Sequence, residues 1–306
     1  MTINNLVILG PTATGKTSLS LKLSEYLDSE IINSDTSIFY KDLKIGTGKP
    51  SLNELSKVKH HLVDFLDPTL RYSLSEFIEM ALNLIEEING AKKIPIIVGG
   101  SSQYLKALVE NWNISKTKPD YELRKRLDKE IQINGVEYLY KKLSKEFPQN
   151  ALSIDPKNPR RVIRAYELGL MGKNVSREKT NSKHKFFKYG LTMPREILYE
   201  NIDIRIENMI QNNWVGEVDG LIKKGLNKTV NSFTSIGYNE IYDHLVNDLD
   251  LEEAIGIIKK RTRNLVRHQY NWFKLNDPDI KWFDSSKYDI DHIAEKILEE
   301  KIEYKV

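Results

Sequence analysis

The chain has 306 residues, of which 40% are hydrophobic and 29% are charged, which is enough for one large domain or two modest ones. It has no cysteine, which excludes disulfide frameworks, zinc ribbons and thiol nucleophiles. We find neither a signal-peptide pattern nor a run of about 18 apolar residues, and we therefore expect a cytoplasmic protein without a membrane span. The net charge of +3 is unevenly distributed, since residues 115–188 contain 19 Lys and Arg against nine Asp and Glu. This basic segment favours a polyanionic partner, although a lysine-rich helical surface has the same composition.

The first third of the chain alternates strand patterns with helix patterns. The strand patterns lie at 6–9, 30–36, 60–68 and within 92–108. Helical spacing follows the first of them at 18–27, and a longer helix is expected over 72–88, where Ser73 and Glu76 form a capping box. Such alternation predicts a parallel sheet with helices on both of its faces.

The alternation stops in the middle of the chain. Residues 113–185 contain helix patterns and no convincing strand, so we predict an all-helical insertion there between two core segments, 1–112 and 186–306. A returning strand at 187–193 leads into helices at 196–224 and 237–273. A surface helix follows near the C-terminus, with its apolar positions at Ile290, Ile293, Ile297 and Ile302.

The segment Gly10–Thr17, GPTATGKT, matches the pattern G-x-x-x-x-G-K-[ST] between a strand and a helix. Backbone N–H groups in such a loop, together with the positive end of the following helix, surround a phosphate. Lys16 adds a positive charge, and the hydroxyl of Thr17 is a ligand for Mg²⁺. We therefore predict an α/β fold with a P-loop NTPase-like parallel sheet. The phosphate itself is not identified, because the strand in 92–108 ends in glycine and not in the acidic residue of an ATPase or kinase.

Polar residues follow two other strand patterns. Asp35 comes after the second strand, where the roles of catalytic base, metal ligand and turn cap all remain open. The segment Gly99–Ser101 allows either a close approach to a ligand or a tight turn. No third metal ligand lies at a useful spacing from the His60–His61 pair, and we expect no metal there.

Two basic segments lie on predicted helices. Arg160 and Arg164 share one helix face, and residues 255–274 include no acidic residue but contain Tyr270 and Trp272. Arginines beside aromatic rings bind phosphates and stack on bases, whereas the same pattern is also typical of a helix with an apolar core face. We expect the aromatic side chains to be mostly core and some of the arginines to be functional.

In this order, these motifs resemble those of the tRNA dimethylallyltransferase family, also called the IPP transferase family. The resemblance extends over essentially all 306 residues. It is carried by GPTATGKT at 10–17, SDTSIFYKDLKIGTGKP at 34–50, VGGSSQY at 98–104, DPKNPRRVIRAYE at 155–167 and TRNLVRHQYNW at 262–272. The sequence departs from the family pattern in GGSSQY at 99–104, which includes Gln103, and at Thr234, Arg267, His268 and Asn271.

The resemblance implies transfer of a dimethylallyl group from dimethylallyl diphosphate to the N6 amine of the adenosine 3′-adjacent to the anticodon of tRNA. Diphosphate is then the leaving group, with Mg²⁺ held by Thr17, and ATP is not needed. Asp35 would be the general base, with Ser101 near the reacting centre and Lys16 on the diphosphate. The residues implied for diphosphate binding are Gly10, Thr12, Ala13, Thr14, Gly15, Lys16, Thr17 and Arg263.

The resemblance also implies a tRNA interface for a monomeric enzyme that binds the anticodon stem–loop and no membrane. The residues implied for it are Asp35, Thr36, Ser37, Ile38, Ser101, Arg124, Pro159, Arg160, Arg161, Val162 and Ile163. Three alternatives remain: a P-loop small-molecule kinase, an adenylate prenyltransferase that makes a free cytokinin, and a non-enzymatic RNA-binding protein. The basic insertion argues against a soluble acceptor, and the third alternative leaves the P-loop and Asp35 without a purpose.

Overall fold

The computed structural model describes residues 5–115, 117–152, 154–175, 179 and 181–300. The chain divides into two compact units, one made of Met1–Val109 with Ser182–Val306 and the other of Glu110–Asn181. The second unit and the insertion predicted at 113–185 overlap over residues 113–181.

An all-parallel sheet of six strands lies at the centre of the first unit. Its strands are β1 (Asn5–Leu9), β2 (Ser29–Asn33), β3 (His60–His61), β4 (Ile94–Val98), β5 (Phe186–Thr192) and β6 (Ile280–Asp284). They are arranged in the order β3-β2-β4-β1-β5-β6, and each neighbouring pair is parallel. This arrangement confirms the predicted fold class.

The described part of the chain contains thirteen α-helices. In chain order they are α1 (Lys16–Tyr26), α2 (Leu52–Lys57), α3 (Leu74–Gly90), α4 (Ser102–Val109), α5 (Tyr121–Asn134), α6 (Val136–Glu146), α7 (Pro148–Leu152), α8 (Pro159–Leu170), α9 (Arg195–Gln211), α10 (Trp214–Lys223), α11 (Tyr238–Val246), α12 (Leu251–Trp272) and α13 (Ile290–Glu299). None of the helices in the described ranges is long and apolar enough to cross a membrane.

Helices cover both faces of the sheet. Successive side chains of a strand point to opposite faces, so each strand contributes side chains to the core on either side. In β1, Val7 and Leu9 belong to one core cluster and Leu6 and Ile8 to another, and all four are fully buried. The first cluster takes apolar side chains from α3 and α9–α12, and the second takes them from α1 and α13. Burial of β1 on both faces explains its continuous apolar sequence.

Several element boundaries follow from local chemistry. Ser73 and Glu76 form the predicted capping box at the start of α3. The predicted third strand is only two residues long, because Leu62 and Asp64 adopt left-handed backbone conformations with φ of 58° and 55°. Asn213, also left-handed, separates α9 from α10, where one helix was expected.

The region expected as one helix over 237–273 is also divided, because α11 ends before Asp250 caps the start of α12. Strand β6 was not predicted, and it pairs with β5 at the edge of the sheet. Helix α13 contains three of the four predicted isoleucines, and Ile302 lies outside the described residues.

The second unit is helical, and apart from one bridge between Trp112 and Lys179 its described residues form no strand pairing. Helices α5–α8 enclose a core that includes Leu127, Leu139 and Val162. Glu167 is fully buried beside this core and accepts hydrogen bonds from Arg124, Arg164 and the Asp120 backbone. Burial raises the pKa of Glu167, but these hydrogen bonds outweigh it and hold the pKa below its ordinary value.

Candidate functional site

Three sequence motifs meet at one edge of the sheet. The P-loop follows β1, Asp35 follows β2, and Gly99–Ser101 follows β4, which pairs with both β1 and β2. Because the strands are parallel, their carboxyl ends lie at the same edge, where open α/β sheets bind ligands. Topology alone therefore brings these residues together.

The P-loop has the backbone of a phosphate cradle. Gly10, Ala13 and Gly15 have φ of 131°, 63° and 91°, and α1 begins directly afterwards at Lys16. A Cβ atom at Gly10 would overlap the carbonyl oxygen of Leu191, so only glycine fits there. The loop encloses a cavity of about 180 Å³, which we call the phosphate cavity. Its lining includes Thr12, Ala13, Gly15, Lys16 and Thr17.

Not every predicted P-loop residue offers its polar groups to this cavity. The Thr14 hydroxyl donates to the Pro11 carbonyl at 2.9 Å, and this side chain is 2% exposed. The Thr12 N–H donates to Oε1 of Gln269 at 3.0 Å. We infer that Thr12 and Thr14 hold the shape of the loop, and that anion binding falls to the remaining amides and Lys16.

Lys16 lies in a desolvated position. Its ammonium group donates to the Pro11 carbonyl at 2.5 Å. Burial lowers the pKa of Lys16 to about 8, although the nearby charge of Asp35 acts in the opposite direction, and Arg205 lowers it further. An anion bound beside Lys16 would replace the lost hydration with negative charge, so anion binding and protonation of Lys16 are coupled.

Arg205 on α9 was missed in the sequence. Its side chain lines the phosphate cavity and also the two larger cavities that are described below. Arg205 is an exposed residue, but the surrounding protein atoms desolvate its guanidinium group and lower its pKa, against the attraction of Asp35. The only available signal was one arginine within the helix sequence NIDIRIENM, which does not differ from an ordinary surface position.

Asp35 is held by one of its carboxylate oxygens. Its Oδ1 accepts hydrogen bonds from the backbone N–H and the hydroxyl of Ser37, at 3.1 and 2.7 Å. The side-chain amide of Asn33 donates to the Asp35 carbonyl and accepts from the Asp35 N–H, at 3.0 Å each. The other oxygen, Oδ2, has no hydrogen-bond donor among the described residues and faces Gly100, where an added Cβ would lie 2.9 Å away. This geometry leaves Oδ2 available to accept a proton.

The two glycines after β4 explain why no acidic residue ends this strand. A Cβ atom at Gly99 would overlap Ser34 Oγ, and one at Gly100 would lie 3.0 Å from Gln269 Nε2. Strand ends can approach this closely only without side chains. The hydroxyl of Ser101, the next residue, accepts from the Thr36 backbone N–H at 3.0 Å and lies 3.1 Å from the Thr36 hydroxyl.

Gln269 on α12 joins two of these loops. Its Oε1 accepts from the Thr12 N–H, and its Nε2 donates to the Gly100 carbonyl at 2.9 Å. The side chain is 4% exposed, so both ends of the amide are used within the protein. The P-loop and the end of β4 are thereby fixed relative to each other.

A second cavity of about 480 Å³ adjoins the phosphate cavity, and we call it the reaction cavity. Thr12, Asp35, Thr47, Gly100 and Arg205 line both. Aromatic and aliphatic side chains form much of its wall, among them Phe39, Tyr40, Tyr72, Tyr104, Ile202, Ile206, Trp214 and Trp272. Thr36, Ser37 and Ser101 also line this cavity, as do Gln103 and Thr234, two of the positions that depart from the family pattern. Its size suits an organic ligand, and Asp35 lies where the two cavities meet.

The loop that carries Thr47 is anchored by Glu217 of α10. One carboxylate oxygen accepts the backbone N–H groups of Lys44 and Ile45 at 2.9 and 2.7 Å. The other accepts the Gly46 N–H at 3.4 Å and the Tyr238 hydroxyl at 2.7 Å. Successive N–H groups of this kind form an anion-binding concavity, and here the anion is part of the chain.

Arg263, predicted as a diphosphate ligand, lies elsewhere. It forms an ion pair with Asp203, and its guanidinium carbon is 5.3 Å from the ring centroid of Tyr199. It is absent from the linings of both the phosphate cavity and the reaction cavity, as far as the described residues show. The ion pair with Asp203 links α12 to α9. The arginine whose side chain lines the phosphate cavity is Arg205.

The residues predicted to contact tRNA differ in accessibility. Val162 and Ile163 are 0% and 4% exposed and belong to the core of the second unit, so their side chains are not free to bind RNA. Arg124 is committed to Glu167 at 2.7 Å. Pro159 and Arg160 are exposed and Arg161 is half-buried, all at the start of α8, which Asn158 caps. Ile38 lines the phosphate cavity instead of the reaction cavity.

The oxygen atoms at the phosphate cavity suit Mg²⁺ bound together with a phosphate. The Thr17 side chain is exposed and lines the cavity, and Asp35 is the acidic residue on the same wall. The described residues include no cluster of three or more His, Asp or Glu side chains that would hold a metal alone. Such a magnesium ion would therefore depend on phosphate oxygens and water for most of its ligands. His60 also lines this cavity, whereas His61 binds Glu30 at 2.7 Å.

Fold and site together define an α/β protein of the P-loop type, with a phosphate cradle open to an aromatic cavity. The model for the IPP transferase family matches residues 38–276. A tRNA dimethylallyltransferase from Dictyoglomus turgidum is 41% identical over 301 residues, covering 97% of this chain and 92% of that relative. The chain therefore belongs to the IPP transferase family and is a transferase.

Solved structures agree with this assignment. The tRNA isopentenylpyrophosphate transferase from Bacillus halodurans superimposes with a TM-score of 0.72 at 34% identity, covering 99% of this chain and all of that one. A eukaryotic dimethylallyltransferase acting on tRNA superimposes with a TM-score of 0.80 at 28% identity, covering all of this chain and 81% of that one. Family membership favours prenyl transfer over the kinase and RNA-binding alternatives.

We expect the affinity for dimethylallyl diphosphate to fall as the pH rises above 8. The ligand binds the protonated form of Lys16, which is lost as the pH passes the lowered pKa, at up to about tenfold in Kd per pH unit. Calorimetric titrations between pH 7 and 9.5 test this. The Lys16→Met variant should bind weakly and without this trend, and a constant wild-type Kd across the range would contradict the coupling.

We expect Arg205→Ala to weaken binding of dimethylallyl diphosphate by about 10- to 100-fold, because a charged hydrogen-bond donor is lost from the cavity. The matched control is Arg263→Ala, which removes the same side chain from a site paired with Asp203 and should change the Kd by less than about threefold. A larger loss in the Arg263 variant would return the diphosphate role to that residue.

Proposed function

We propose that the protein transfers a dimethylallyl group from dimethylallyl diphosphate to the N6 amine of the adenosine 3′-adjacent to the anticodon of tRNA, releasing diphosphate. The observation that carries this proposal is the position of Asp35, between a cradle suited to phosphate and a cavity with aromatic walls. Relatives named tRNA dimethylallyltransferases along nearly the whole chain support the choice of donor and acceptor.

The diphosphate of the donor binds in the phosphate cavity. P-loop amides, the start of α1, Lys16 and Arg205 surround it with positive charge. The charge on the diphosphate grows as the allylic C–O bond lengthens, so these preorganised groups stabilise the transition state more than the ground state. Magnesium bound through Thr17 would neutralise further charge on this leaving group.

The prenyl carbon chain extends from the phosphate cavity into the reaction cavity, where the apolar wall excludes water. Adenine is extruded from its stack and enters the same cavity, where aromatic side chains such as Tyr72 and Trp272 provide stacking surfaces. The N6 atom attacks C1 of the donor, so that an N–C bond forms while the C–O bond to diphosphate breaks.

Asp35 removes the proton that N6 loses in this step. Its Oδ1 is occupied by Ser37, while Oδ2 faces the space beside Gly100 and is the oxygen that accepts the proton. The hydroxyls of Ser101 and Thr36, which bind each other, lie on the same wall and donate to the extruded nucleotide. Adenine N6 is a weak nucleophile, and proton removal during attack makes the transfer feasible.

The tRNA partner explains the basic second unit. Arg160 and Arg161 lie at the start of α8, where side-chain charge and the helix terminus both attract phosphate. We further propose a monomer as the catalytic species, because one compact unit contributes every residue assigned to the chemistry. Activity that depends on protein concentration beyond simple proportionality would contradict a monomer.

Incubation with labelled dimethylallyl diphosphate and three acceptors tests the proposed function. The acceptors are a tRNA with adenosine 3′ to its anticodon, the same tRNA with guanosine there, and AMP. We expect label in the first alone. Label in AMP would identify an adenylate prenyltransferase, and ATP turnover without any prenyl transfer would identify a kinase.

We expect Asp35→Asn to reduce prenyl transfer by about 100- to 10,000-fold, because it removes the general base and preserves the shape of the side chain. Binding of tRNA, measured by filter retention, should remain within about threefold of wild type, since a single side chain of the interface is changed and its shape is kept. Near-wild-type transfer by this variant would remove Asp35 from the mechanism.

We expect the double variant Arg160→Glu with Arg161→Glu to weaken tRNA binding and to lower the slope of log K against log salt by about 2. The control Lys125→Glu with Arg126→Glu makes the same charge change at exposed positions of α5. An equal effect of the control would mean that diffuse charge, and not the start of α8, binds the RNA.

A further inference from the structure

A third cavity lies beside the reaction cavity and also borders the phosphate cavity, with which it shares Ala13, Gly15, Gly48, Pro50 and Arg205. This outer cavity has a volume of about 800 Å³ and is lined in part by Ile45, Leu52, Leu55 and Ile204. Of the described residues, Arg205 and Met209 are the two that line both the outer cavity and the reaction cavity. These two side chains therefore form the partition between them.

Both side chains of the partition lie beside Gly48. Arg205 and Met209 are four residues apart on α9 and so lie on one face of that helix. A Cβ atom at Gly48 would overlap Nη2 of Arg205 and lie 3.5 Å from Cε of Met209. Gly48 has φ of 60° and belongs to the loop that Glu217 anchors. Arg205 thus packs directly onto the backbone of an anchored loop, and the end of the Met209 side chain lies close beside it.

The proposed function fixes the direction of the donor, and the inference here rests on that function. With its diphosphate beside Lys16 and Arg205, the donor directs its carbon chain into the reaction cavity along α9. The apolar residues there are Ile202, Ile206, Met209 and Trp214. Trp214 is 1% exposed, and a Cβ atom at Gly46 or Gly237 would overlap its ring, so this side of the cavity is rigid.

We propose that Met209 determines the maximum length of the prenyl donor. Its side chain is the apolar group that lines both the reaction cavity and the outer cavity, so a five-carbon dimethylallyl chain directed along α9 fits and a ten-carbon geranyl chain meets the partition. A longer chain would displace a thioether that packs against Gly48, and overpacking of this kind is unfavourable. Shortening Met209 opens a path to the outer cavity, where Ile45, Leu55 and Ile204 provide apolar surface for the second isoprene unit.

The test compares Met209→Ala with Ile204→Ala. Both variants shorten an apolar side chain of α9, but Ile204 lines the outer cavity and does not line the reaction cavity. For each protein, kcat/KM is measured with dimethylallyl and with geranyl diphosphate on one tRNA, and the affinity for each diphosphate is measured by calorimetry. We expect the geranyl-to-dimethylallyl ratio of kcat/KM to rise at least about tenfold in Met209→Ala and less than about threefold in Ile204→Ala.

A second variant at this position is a control for loss of structure. Met209→Val retains an apolar side chain of intermediate length and should raise the ratio less than Met209→Ala but in the same direction. If both variants bind geranyl diphosphate no better than wild type, the proposal is overturned, whatever the transfer rates are. If wild-type protein binds dimethylallyl diphosphate but prenylates no tRNA, the proposed function fails, and the calorimetric comparison still decides the role of Met209.

Discussion

The site depends on the amide of Gln269, which holds the phosphate-binding loop and the end of β4 in one arrangement. Its oxygen accepts the Thr12 N–H and its nitrogen donates to the Gly100 carbonyl, both from a buried position. Without this side chain, two backbone groups at the site would lose their partners, at a cost of about 0.5–1.5 kcal/mol each. The relative position of the P-loop and the end of β4 therefore depends on a residue of α12. Its position far along the chain makes the two halves of the first unit mutually dependent.

In this arrangement two positive side chains, Lys16 and Arg205, and one negative side chain, Asp35, interact in a partly dehydrated part of the site. Asp35 favours the charged forms of Lys16 and Arg205, yet desolvation outweighs this attraction, and both pKa values lie below their ordinary range. The two cations also repel each other. A diphosphate relieves both effects, because it brings negative charge to the place where positive charge is least solvated. The same features that make the empty site unfavourable thus contribute to donor binding and to departure of the leaving group.

Periodicity and short motifs predicted the parallel sheet, the P-loop and the capping box of α3, because these depend on residues close together in the chain. They failed at positions whose role depends on contacts with residues far away in the sequence. Arg263 stands in a basic segment but pairs with Asp203 on another helix, while Arg205, in an unremarkable helix, reaches the cavity. Val162 was expected at an RNA interface and is instead buried in a helical core. Strand β6 is short and edge-placed, and only its pairing with β5 reveals it. Charge and motif identify candidates, whereas packing determines which of them face a ligand.

The contact between Glu217 and the loop at 44–46 has a consequence for anion selectivity. If they were free, these three consecutive amides would form a competing binding site for inorganic phosphate or a nucleic acid backbone. An internal carboxylate occupies them, and any foreign anion must displace it from these hydrogen bonds. Of these two amide clusters, only the P-loop is therefore left open to an anion from solution.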